Sequence, residues 1–252
     1  MSLPPTMQRA GRSDWTLMIT IHGALRRDLD QLLHTTASHP SARARWRAFR
    51  HQLRLHLAAE HAAMWPRVRA QLADDPPGQA LLDAMDDEQR LLGPLQVVID
   101  DAFTMHADPR RLRQLLARLQ TRLTSHLSHE EADALPLISQ VLSPGELSRI
   151  TRAIRGGPSV RRTATTVSWA LADASPGIRE QVLSQLPAPA RVLCRAAWLP
   201  RYARNPPPLE EHRPGRPVTA NDASNSPLTA ISPAHHLAPM PARPTGPGHE
   251  AG

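Results

Sequence analysis

Lysine is absent from this 252-residue chain, and cysteine occurs once, as Cys194. A single thiol excludes a disulfide framework and any zinc or iron–sulfur cage built on cysteine, and it fits a reducing cytoplasm. Aromatic residues are scarce at 3 %, too few for the stacking platforms on which single-stranded nucleic acid is bound. No apolar run approaches the roughly 18 residues of a membrane span, so an integral membrane protein is not expected. The stretch from Met1 to Trp15 lacks the charged start and apolar h-region of a secretory leader. Nowhere do apolar and polar residues alternate long enough to make a convincing strand. Phosphate-binding loops, the dinucleotide glycine fingerprint, His-Glu-x-x-His and Gly-x-Ser-x-Gly are missing too.

All 30 basic side chains are arginine and the net charge is +7. That sign favours acidic partners in general. However, Arg43, Arg45, Arg47, Arg50 and Arg54 recur among apolar positions, as the wet side of a helix does. A solvated face is the simpler reading, and no nucleic-acid partner is expected. The last part of the chain has a different composition. Residues 205–252 hold eleven of the 26 prolines among Ser, Asn, Gly and Thr. Such a segment cannot bury enough surface to offset its ordering entropy, so a disordered tail is expected, with His235 and His236 in it.

The rest reads as helix. Residues 14–142 carry four long patterns with apolar residues at helical spacing. The first runs from about Trp15 to Leu33, with His22, Leu25, Leu29 and Leu32 on one face. The second starts after Pro40-Ser41 and carries Leu53, His56, Leu57, Glu60, Met64 and Val68. After a break at Asp74-Asp75-Pro76-Pro77-Gly78, the third runs from about Gln79 to Phe103 with Leu81, Met85, Glu88, Leu92, Leu95 and Ile99 as its stripe. The fourth opens at Asp108-Pro109, a cap followed by proline, and continues through Leu123, His126, Leu127 and Glu130. Short connections between long amphipathic helices predict an all-α, up-down four-helix bundle. Residues 143–204 are expected to add a helical extension packed on it, beginning with a capping box at Ser143-Pro144-Gly145-Glu146.

Polar residues on apolar faces carry the functional signal. His22, His56, Glu60, His126 and Glu130 lie on or beside the core stripes, and a buried imidazole or carboxylate needs a partner. His56 and Glu60 are one helical turn apart, as are His126 and Glu130, so each pair projects from one side of its helix. The local sequences match: HLAAEHAAMWPRV begins at 56 and HLSHEEADALPLI at 126, each with His-Leu, then Glu, then Pro at the same places. In an up-down bundle the two copies run the same way, so both pairs can meet at one level, with His22 added from the first helix. Imidazole and carboxylate without sulfur suit iron or manganese, while zinc prefers fewer ligands in a tetrahedron.

Over residues 17–142 the chain resembles the hemerythrin, or HHE cation-binding, family. The segments IHGALRRDL, HLAAEHAAMWP, MDDEQRLLGPL and HLSHEEADALPLI match its pattern in order and spacing. The stretch from SWALADASP to LPRY is similar to the C-terminal part of GC-rich bacterial members, so the likeness covers about four-fifths of the chain. The resemblance implies that His22, His56, Glu60, His126 and Glu130 are ligands, with Glu60 and Glu130 bridging. It implies a non-haem iron centre, with manganese or zinc as lesser candidates, that binds or responds to O2, NO or peroxide. Whether that makes an enzyme does not follow from the ligands.

One position departs from the family. Where its third helix usually reads Glu-His, this chain has Glu88-Gln89. Three outcomes are open: Glu88 supplies an oxygen ligand instead, the second metal is weak and the site mononuclear, or metal binding is lost and a helical interaction module remains. His129 and Asp133 read as flanking groups, and His34, His39, His51 and His61 as exposed. The five tryptophans read as packing residues, Cys194 as a buried apolar one, and Pro66 and Pro136 as kinks just past the carboxylates.

Overall fold

The computed structural model describes residues 15–34, 40–157 and 159–204. The expected tail at 205–252, with His235 and His236, and His39 lie outside the described residues. Among the described residues the regular structure is all helix, with no strand, and no helix is long and apolar enough to cross a membrane.

Helix α1 (Thr16–His34) buries Leu17, Met18, Ile21, His22, Leu25, Leu29 and Leu32, one stripe at helical spacing. Helix α2 (Pro40–Ala59) passes through a wide π turn at Glu60–Met64 into α3 (Trp65–Gln71). The third rod, α4, spans Pro76–Thr104. Helix α5 (Pro109–His129) repeats the pattern of the second rod, with a π turn at Glu130–Ala134 and then α6 (Leu135–Val141). Helix α1 packs on α2 and α5, while α4 packs on α5, α2 and α3, so these rods share one apolar interior. Two tryptophans tie the rods together. Trp46 Nε1 donates to Asp100 Oδ1 at 2.7 Å, and Trp15 Nε1 donates to Ser139 Oγ at 2.8 Å.

The break before α4 is narrower than the Asp-Asp-Pro-Pro-Gly run predicts, because helix resumes at Pro76. The first turn of a helix has no internal acceptor for its N–H groups, so consecutive prolines fit there without losing a hydrogen bond. Asp108 caps α5 as its sequence suggests, accepting from Arg110 N at 2.9 Å.

The π turns follow from an unusual spacing. An α-helix makes a turn in 3.6 residues, so stepping by four overshoots by about 40° each time and drifts off the core. Yet His56, Glu60, Met64, Val68 and Leu72 are all buried, and so are His126, Glu130, Ala134, Ile138 and Leu142. Five residues of wider helix absorb that drift. Trp65 N–H donates to Glu60 O and Leu135 N–H to Glu130 O, five residues back rather than four. The kinks expected at Pro66 and Pro136 therefore take the form of π turns ending just before those prolines.

Residues 143–204 form α7 (Pro144–Ile154), α8 (Val160–Ala170), α9 (Pro176–Ser184), α10 (Ala188–Leu193), a third π turn (Cys194–Trp198) and α11 (Leu199–Arg204). The capping box at Ser143 is formed: Ser143 N donates to Glu146 Oε2 at 2.8 Å, and Ser143 Oγ accepts from Glu146 N at 3.4 Å. Helix α7 lies on α2 and the first π turn, and α8 and α9 lie on α1, where Trp169 Nε1 donates to Asp28 Oδ2 at 2.7 Å. Between α7 and α8 the backbone turns at Gly156, with φ +123°, and a Cβ there would lie 2.6 Å from Thr163 N. Only glycine fits.

Candidate metal centre

Helix packing brings together residues from three rods. One ligand-type atom from each of His22, His56, Glu60 and Glu130 lies within 4.8 Å of every other, and all four side chains are buried. The His22 and His56 rings meet edge to face, with centroids 4.9 Å apart. His56 Nε2 is 2.7 Å from Glu60 Oε1, and His22 Nε2 is 3.5 Å from Glu130 Oε2. Neither approach is a hydrogen bond. His22 Nε2, His56 Nε2, Glu60 Oε1 and both Glu130 oxygens are buried without a hydrogen-bond partner. Close approach without hydrogen-bond alignment is what lone pairs aimed at a common point produce.

Water exclusion sets the charge states. Burial pushes the Glu60 carboxyl up to about 8 and raises Glu130 well above the carboxylate range, the latter helped by the nearby Glu60 and Glu131 charges. Burial also lowers His56 to about 3 and His22 to about 4. Without a cation, therefore, the cluster favours neutral imidazole beside neutral carboxyl. A cation supplies the charge that stabilises the carboxylates, so the donor set fits a metal ion.

Behind these atoms stand groups that orient them. His22 Nδ1 faces Glu131 Oε1 at 2.8 Å, and the same oxygen accepts from Arg26 Nη1 at 2.8 Å. Burial alone would raise the Glu131 carboxyl, but the hydrogen bonds from His22 and Arg26 hold it below its ordinary value. An anionic acceptor at Nδ1 fixes the proton there and leaves the Nε2 lone pair turned to the cluster. Glu131 was not singled out in the sequence. Its one signal is that it directly follows Glu130 on the helix that faces α1.

Glu88 and His126 stand outside the four-residue cluster. His126 is fully buried, and burial lowers it to about 4. Its Nδ1 lies 3.0 Å from Glu88 Oε2, and Glu88 Oε1 lies 2.9 Å from His129 Nδ1. The Glu88 carboxylate is thus engaged by two histidines, His126 and His129, and is not among the converging four. Gln89 fills the remaining space. Its Nε2 donates to Glu60 Oε2 at 2.7 Å and comes within 3.5 Å of His126 Nε2. An amide N–H therefore sits between the carboxylate of one half-site and the imidazole of the other.

His34, His51 and His61 are exposed, and Asp133 stands 3.6 Å from His129 Nε2 at the outer rim. Cys194 is buried, and burial pushes its thiol up to about 11, which suits a packing residue and not a nucleophile. Residues 14–138 match the hemerythrin HHE cation binding domain. No curated protein and no solved structure matches the chain.

Proposed function

Residues 14–138 belong to the hemerythrin HHE cation-binding family, and from that premise we propose that this is a cytoplasmic non-haem iron protein binding or responding to O2, NO or peroxide. His22, His56, Glu60 and Glu130 would hold the iron, within rods arranged as an up-down four-helix bundle. The reading is carried by one observation: four buried side chains from three rods converge with their metal-binding atoms unsatisfied. Bound iron would supply an electron-rich centre with open positions for a small diatomic or peroxide ligand.

The chain's own part is electrostatic and geometric. Glu131 holds the Nδ1 proton of His22, and the deprotonated Glu60 and Glu130 balance the charge of the cation. Leu25, Leu53 and Leu123, one turn from His22, His56 and His126 and almost wholly buried, keep bulk water from the centre. Gln89 occupies the approach between Glu60 and His126 with an N–H donor. A second cation beside His126 would have to displace that donor, so the centre is read as mononuclear.

Anaerobic loading with Fe(II), removal of excess metal and elemental analysis test this. The expected result is about one iron per chain, with no near-ultraviolet absorption of a dinuclear ferric centre after exposure to air. Gln89→His restores an imidazole at that position and is expected to bring the count toward two. Two irons in the native chain would overturn the mononuclear reading, and preferential retention of zinc would overturn the choice of iron. No retained metal would leave a helical interaction module.

A further inference from the structure

A cavity of about 510 Å³ opens between α7, the α9–α10 junction and Trp15 at the entrance to α1. None of its lining residues belongs to the His/Glu cluster. Part of its wall is apolar: Trp15, Leu147 and Leu186 are buried and expose only their edges to it. The polar part is unbalanced. Arg152 in the last turn of α7 and Arg155 at its C-cap stand three residues apart, and among the described residues no carboxylate pairs with either. Arg155 is half-buried, so its charge is held close to a like charge with reduced help from water. Gln185 lines the same space, and both its amide oxygen and its amide nitrogen are buried without a partner. A buried amide left unpaired on both atoms is costly unless something fills the adjoining space with polar groups.

These features call for different parts of one ligand. Guanidinium forks take carboxylate or phosphate oxygens in pairs, the Gln185 N–H donates to the same kind of oxygen, and the tryptophan–leucine wall takes an apolar body. The volume lies in the range of small-molecule sites. We propose that this cavity binds an organic anion with an apolar body, its carboxylate or phosphate head held by Arg152, Arg155 and Gln185.

Calorimetric titration of the full chain with octanoate, octyl phosphate and octan-1-ol tests the assignment. One of the two anions is expected to bind one-to-one, and the alcohol at least tenfold more weakly. The preferred head group tells a carboxylic-acid source from a phosphorylated one. Arg155→Gln is expected to weaken the anion at least tenfold and Gln185→Leu severalfold, while Arg118→Gln on the exposed face of α5 changes nothing. Arg152 is exposed, so Arg152→Gln keeps the fold and repeats the test should Arg155→Gln melt. Iron content is expected to stay the same throughout, which separates this cavity from the metal centre. Equal affinity for octanoate and octan-1-ol, undiminished affinity in both arginine variants, or no binding of any probe at millimolar concentration would overturn the proposal.

Discussion

The two halves of the candidate metal centre start from nearly the same sequence and end with different partners. HLAAEHAAMWP and HLSHEEADALP place His, Glu and Pro alike, and each opens a π turn at its glutamate. In the first half, His56 makes no hydrogen bond, and its Nε2 and Glu60 Oε1 stand 2.7 Å apart. In the second half, Glu130 keeps both oxygens unpartnered, but His126 is engaged through Nδ1 by Glu88 and approached at Nε2 by Gln89. The rods without a twin make the difference: α1 brings His22 to Glu130, and α4 brings Glu88 and Gln89 to His126. A repeated motif fixes where side chains emerge. The neighbouring helices decide what each one does.

The largest effect that would break this comparison is a difference between two histidines that look equivalent in sequence. His56→Ala removes a member of the cluster, and iron content after loading is expected to fall from about one per chain to near zero. His126→Ala removes a group already engaged by protein, and iron content is expected to stay near one. Elemental analysis of the two variants side by side decides it. Equal loss from both would restore the symmetric site that the repeat suggests.

A smaller effect separates the two orienting carboxylates. Glu131 anchors a histidine of the cluster, whereas Glu88 anchors one outside it. Loss of a carboxylate that orients a ligating imidazole costs about 10–100-fold in metal affinity. Glu131→Gln is therefore expected to weaken Fe(II) binding by that factor, and Glu88→Gln by less than about threefold. Competition with a chelator of known affinity measures both. The reverse order would mean that His126, not His22, holds the metal.

Much of this architecture was legible in the chain. The helical stripes placed the rods, the matched His-x-x-x-Glu pairs located the interior polar groups, and His22 was visible because it shares a face with Leu25 and Leu29. Helix periodicity reports which way a residue faces along its own rod. It does not report which residue of another rod it meets. For that reason Glu131 and the role of Glu88 emerged only from packing, and Gln89 could be seen as a departure but not as a bridge between half-sites. The cavity at Arg155 was out of reach for the same reason, since its wall comes from positions as far apart as Trp15 and Leu186.

The smallest expected effect concerns the prolines, and it sharpens the account of why the two halves share a shape. Proline lacks the N–H that would bond four residues back and clashes with that carbonyl, so Pro66 and Pro136 look like the cause of the π turns. Helix α4 argues otherwise, because it contains Pro94 in its interior and stays α-helical. Its buried positions Leu92, Gln96, Ile99 and Phe103 mix steps of four and three, as an ordinary helix requires. From His56 to Leu72 and from His126 to Leu142 the second and fourth rods keep a run of buried residues at four-residue steps, and these are the stretches that widen. The third π turn fits the same rule, with Cys194 buried and Ala190, Trp198 and Tyr202 packed on the core at four-residue steps. Each of the three turns also has a proline two residues past its end, at Pro66, Pro136 and Pro200, so proline accompanies the turn. Pro94 shows that proline alone does not make one, which leaves the core spacing as the feature that sets these stretches apart from α4. On this account Pro66→Ala leaves iron content unchanged and lowers stability by no more than about 1 kcal/mol, through the added freedom of the unfolded chain. Urea unfolding and metal analysis of that variant check both. If Pro66→Ala emptied the centre as completely as His56→Ala, the proline and not the spacing would be holding Glu60 in place.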